Sequence, residues 1–164
     1  MKLNNFKSVF ILGNLSLLLI YLNYSVMNKE ELLAKGELIK FELAPVDPRS
    51  LIQGDYMELR YAITNEMNID DIPKRGFIVV TLDSNGIGQR VRLQDDIQPL
   101  NDGEYVIRYS KGFSRSNLSI GAESYFFEEG SASQFEKAKY GGLMVDRVGN
   151  SLLVGMYDAE GNKL

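Results

Sequence analysis

PVDPRSLIQGDYMELRY, residues 45–61, is the stretch on which the reading of this chain turns. Its second half alternates: Met57, Leu59 and Tyr61 share one side of an extended segment, and Tyr56, Glu58 and Arg60 the other. Alternation with a period of two marks a strand with one face buried. Ile63 continues the apolar side and Ala62 the other, so the spacing predicts a strand over residues 55–63. Upstream, Pro48 fixes its own φ and holds Asp47 extended. Asp47 is placed to accept hydrogen bonds from turn amides. Gly54 supplies a positive φ or a close backbone approach at the strand entrance, and Asp55 locks that turn. On this reading Pro48, Gly54, Leu59 and Tyr61 build a rigid corner. A second reading makes Asp47, Arg49, Asp55, Tyr56 and Arg60 a polar recognition surface.

The flanking sequence extends the β pattern. Residues 37–43 alternate, with Ile39, Phe41 and Leu43 on one face. Residues 77–82, FIVVTL, form a continuous apolar run, as expected of a central strand buried on both faces. Residues 83–86, DSNG, predict a turn, and 88–93 the returning hairpin arm. Further strands are predicted over 104–109, 118–120, 124–127, 143–148 and 151–157. A helix is expected over 131–139, capped by Ser131 or Ser133 and stopped by Gly141 and Gly142. Residues 65–74, NEMNIDDIPK, are expected to be the most mobile loop. These elements imply a mostly β fold, a compact antiparallel barrel or sandwich with one short helix.

Residues 9–27, VFILGNLSLLLIYLNYSVM, are nineteen uncharged residues, close to the roughly 20 that cross a bilayer core. Lys2 and Lys7 precede them and Lys29, Glu30 and Glu31 follow. The positive-inside rule then places the N-terminus in the cytoplasm. No small-x-small cleavage pattern follows the apolar run, which favours an uncleaved signal anchor over a cleaved signal peptide. The run is apolar all round, unlike a core-covering helix of a small β domain. Residues 30–35 prolong this helix by a turn or two, and Gly36 stops it. The expected organisation is a cytoplasmic tip and single transmembrane anchor over 1–28, then an extracytoplasmic β-rich domain over 29–164.

Composition narrows the chemistry. The 164 residues contain no Cys and no His. Thiolate nucleophiles, disulfides and the commonest transition-metal ligands are therefore excluded. Setting aside Lys2 and Lys7 leaves 16 basic residues against 22 acidic ones after residue 28, a net charge of −6. A mildly acidic domain is a poor partner for nucleic acid.

Residues 54–61, GDYMELRY, match the pattern G-D-Y-x-x-L-x-Y at every fixed position. The chain thereby resembles the GDYxxLxY family of bacterial membrane-anchored proteins. Residues 45–51 resemble the family's lead-in, and residues 125–130, YFFEEG, its second landmark. The resemblance implies an envelope protein with no established activity, whose partner is an integral membrane protein.

The function expected from these readings is that of a non-catalytic accessory or sensory protein. It would bind a membrane partner or envelope component without cofactor or metal. Its expected contact surface is Asp47, Arg49, Asp55, Tyr56, Arg60, Glu128 and Glu129. The alternative is a carboxylate-dependent hydrolase acting on a glycan, with Asp55 facing Glu128 or Glu129 across a cleft. A third, remote reading is a peptidase of the signal-peptidase type, with Ser50 activated by Lys40.

Overall fold

The computed structural model describes residues 5–44, 56–65, 72–111, 118–128 and 130–164. Helix α1, Asn5–Lys35, runs without a break through the predicted anchor and its prolongation. Its 31 residues span about 46 Å at 1.5 Å per residue. That exceeds the roughly 30 Å hydrocarbon core of a bilayer, and the helix is long and apolar enough to cross one. None of its apolar stretch is buried against the rest of the chain. Asn14 and Asn23 turn their side-chain amides back to the carbonyls of Phe10 and Leu19, at 3.1 and 2.8 Å. Each polar group is thus partly satisfied within its own helix. Gly36 ends α1 as predicted, its N–H reaching Leu32 O at 2.9 Å.

The strands that follow are β1 (Glu37–Glu42), β2 (Tyr56–Glu58), β3 (Arg75–Leu82), β4 (Gly88–Gln94), β5 (Glu104–Lys111), β6 (Leu118–Ser119), β7 (Ser124–Phe126), β8 (Tyr140–Val145) and β9 (Ser151–Tyr157). They form three antiparallel sheets, ordered β1-β8-β9, β2-β7 and β4-β3-β5-β6. Bridges from Lys40 to Ile87 and from Leu43 to Tyr61 tie β1 to the other two sheets. Among the described residues the sheets do not close into a barrel. Ile39, Phe41, Leu59, Tyr61, Ile78, Ile107, Leu143 and Met156 meet in the shared core, each almost wholly buried.

The FIVVTL run is central, flanked by β4 and β5, and Ile78, Val79 and Val80 are all fully buried. Ile78 and Val80 join the main core, whereas Val79 lies on the other side of the sheet, opposite Val106. The turn between β8 and β9 reaches this second side. Arg108 N donates to Gly149 O at 2.9 Å, and the Phe77 ring lies against Gly149. Three turns share one device, an Asp side chain that accepts backbone N–H groups from inside its own turn. Asp83 bonds Asn85 and Ile87, Asp146 bonds Val148 and Asn150, and Asp158 bonds Asn162. In the first, Gly86 takes φ +73°.

Three sequence expectations are corrected. The strand expected over 55–63 ends its ladder at Glu58 and curls into a 3-10 turn, Ala62–Thr64. There Thr64 Oγ1 donates to Tyr61 O at 2.8 Å, so Ile63 is buried from a turn. The helix expected over 131–139 is a single turn, α2 (Ala132–Phe135). Ser131 caps none of its amides; its Oγ donates to Glu128 O instead. Finally, Gly141 and Gly142 stop no helix. They lie inside β8, which starts at Tyr140 and ends at Val145, three residues before the strand expected to reach 148. A Cβ on Gly141 would meet Tyr61 Cε1 at 2.9 Å. The glycine is there to let the motif tyrosine lie across the strand.

Candidate functional site

The two landmark segments, far apart in sequence, zip together. Strands β2 and β7 pair antiparallel, with Tyr56 opposite Phe126, Met57 opposite Tyr125 and Glu58 opposite Ser124. Alternation sends Met57 and Tyr125 inward. The Tyr125 ring meets Phe135 of α2 edge-on at 5.1 Å, and Phe127 meets it at 5.4 Å. The single turn of α2 therefore serves to set Phe135, 7% exposed, as a plug beneath the ribbon.

The outer face of the same ribbon carries Tyr56 and Phe126. Their ring centroids are 5.8 Å apart with planes tilted by 38°. Tyr56 is 40% exposed and Phe126 73%. Glu58 and Arg60 are exposed on the same strand segment, and Glu128 two residues beyond β7. An amphipathic aromatic pair rimmed by charges of both signs has the composition found at protein contact surfaces.

Rigid packing holds this pair from behind. Leu59 and Tyr61 are 2% and 1% exposed. Leu59 N donates to Glu123 O at 2.7 Å, and Ala44 N to Arg60 O at 2.7 Å. The Tyr61 hydroxyl donates to Ala122 O at 2.7 Å, and its ring meets Phe41 edge-on at 6.4 Å. Burial, reinforced by the nearby Glu123 charge, pushes the Tyr61 phenol far above its ordinary range, so it acts as a fixed hydrogen-bond donor. Glu123 Oε1 accepts the N–H groups of Ile120 and Gly121, which shapes the turn leading into β7.

Of the predicted contact residues, Tyr56, Arg60 and Glu128 lie on the surface, and of the predicted corner residues, Leu59 and Tyr61 lie in the core. Asp47, Arg49, Asp55 and Glu129, with the corner residues Pro48 and Gly54, lie outside the described residues, as does Ser50. Lys40, considered as a base, has its ammonium 5.9 Å from the centre of the Tyr157 ring. Among the described residues no group of three acidic, His or Cys side chains is placed to hold a metal ion. Phe126 is not among the contact residues expected from the sequence. The available signal was parity, since in a strand Phe126 must face away from Tyr125 and Phe127.

A family model described as GDYXXLXY protein matches residues 18–156. No curated protein and no solved structure matches the chain. The matched span takes in the later half of α1, the GDYMELRY and YFFEEG segments and all but the last residue of β9, and on that coverage the chain belongs to the GDYXXLXY family.

Proposed function

We propose that this is a membrane-anchored accessory or sensory protein whose β-rich domain stands outside the cytoplasmic membrane and binds an integral membrane partner through the β2–β7 ribbon. The observation that carries this reading is the exposed Tyr56–Phe126 pair, fixed from behind by the buried Leu59–Tyr61 corner. Aromatic side chains left in water on a rigid ribbon lose little conformational entropy on binding and present large contact area. The distribution of Lys2 and Lys7 before the apolar helix supports an N-terminus inside and a domain on the periplasmic or extracellular face.

A photo-crosslinking residue placed at position 126 of the full-length chain, in native membranes, tests the reading. The expected product is one stoichiometric adduct with a multi-spanning membrane protein, absent when the same residue stands at Asn85 in the β3–β4 turn. Equal adducts from both positions, or none from position 126, would overturn it.

A further inference from the structure

A second surface, built from other strands, has the makings of an anion site. Arg75 of β3 stands opposite Ser110 of β5, and Ser110 stands opposite Ser119 of β6. One guanidinium and two hydroxyls thus lie in a row across three strands. Arg108 pairs with Phe77, which makes it the diagonal neighbour of Arg75 on the same face. Its guanidinium rests over the Phe77 ring, 5.7 Å from the centre, a stacking that restricts its rotamers. Ser151, at the start of β9, forms the facing wall, and its Oγ ties that wall to Ile120 O at 2.9 Å. The shallow, open cleft these residues line has a volume of about 460 Å³, room enough for a small ligand.

Both arginines line this cleft. Arg92 is forked onto Glu104, and Arg90 donates to the carbonyls of Ile63 and Asn65. Among the described residues Arg75 and Arg108 have no such carboxylate partner. Among the described residues, two nearby carboxylates, those of Glu123 and Asp146, are already engaged. Glu123 holds the Ile120 and Gly121 amides, and Asp146 holds the amides of Val148 and Asn150 and the Asn150 side chain.

We infer that this cleft binds the carboxylate or phosphate group of a small polar ligand, with Arg75 and Arg108 as the paired forks and Ser110 and Ser119 as hydroxyl donors. Planar guanidinium groups suit two-point recognition of such oxyanions. The inference is independent of the ribbon and stands whether or not a membrane partner binds there.

Isothermal titration calorimetry of the full-length protein in uncharged detergent tests it, with inorganic phosphate, glucuronate and neutral glucose as probes at low ionic strength. The expected result is saturable binding of at least one anion and none of glucose. A preference between phosphate and glucuronate then identifies which group the site takes. Arg75→Ala and Arg108→Ala each weaken binding by about tenfold, the scale of one lost charged hydrogen bond, and the double variant abolishes it. Absence of binding by both anions, or unchanged affinity in the double variant, would overturn the assignment. If Arg108→Ala unfolds through loss of its Phe77 contact, Arg75→Ala alone decides, since Arg75 is exposed at the first position of β3.

Discussion

The two faces of the segment from Tyr56 to Tyr61 make opposite use of the same kind of side chain. Inward, Tyr61 is 1% exposed, its hydroxyl bonded to Ala122 O and its ring crossing Gly141. Outward, Tyr56 is 40% exposed and leans on Phe126, which is 73% exposed. Both are tyrosines at fixed positions of the G-D-Y-x-x-L-x-Y pattern, five residues apart. Odd spacing along extended chain puts them on opposite sides. The inner face packs into the core that the three sheets share, and the outer face stays exposed.

The contrast breaks most sharply at the inner face. Leu59→Ala is expected to cost about 2–5 kcal/mol, the usual range for emptying a close-packed leucine site. Chemical denaturation of the detergent-solubilised chain reads this directly. A loss below about 1 kcal/mol, the scale of an ordinary surface change, would mean the corner is not packed as described. Next in size is Gly141→Ala. The added methyl meets the Tyr61 ring, and overpacking of this kind costs about 1–3 kcal/mol. Combining it with Tyr61→Leu, which removes the ring, should recover part of that loss.

A third test lies away from the corner, where the effect is confined to acid. Arg92 forks onto Glu104, and the Arg92 hydrogen bonds together with the Asn101 amide hold the Glu104 carboxyl down at about 2. A depressed carboxyl stabilises the fold above its unfolded value, and that stabilisation is lost as the pH falls through the folded one. The expected loss therefore falls between about 4.5 and about 2. In Arg92→Ala the Glu104 carboxyl, followed by NMR, should titrate closer to its ordinary value, and the acid-side loss of stability should shrink. The smallest effect on stability belongs to the outer face. Tyr56→Ala should stay within about 0.5 kcal/mol of the parent, as exposed positions do.

Much of this arrangement is legible in the residues because it is local. The apolar run over 9–27 reads as a membrane-length helix, FIVVTL as a doubly buried strand, and the parity of residues 56–61 assigns the core face correctly. What is not legible depends on distant partners. Gly141 and Gly142 read as helix breakers because the demand for them comes from Tyr61 and Tyr157, which lie across them in space. The helix over 131–139 shortens because Phe135 is wanted between Tyr125 and Phe127. The candidate site was half visible. Tyr56, Arg60 and Glu128 stand out from their sequence neighbourhoods, but the pairing of Phe126 follows only from the register that sets it opposite Tyr56. The Arg75–Arg108 cleft likewise exists only through the pairing of β3, β5 and β6.

The most direct test of the account sets the two faces of one strand against each other. Full-length Tyr56→Ala/Phe126→Ala and Leu59→Ala proteins would be purified from native membranes in mild detergent beside the parent, each followed for thermal unfolding and for stoichiometric co-purification of a multi-spanning protein. The account predicts that the first variant keeps the parent's unfolding temperature and loses the partner. It predicts that Leu59→Ala unfolds at a clearly lower temperature yet retains the partner while folded. A Tyr56→Ala/Phe126→Ala protein that still brings down the partner, or that loses it only by unfolding, would contradict the division of the strand into a structural and a contact face.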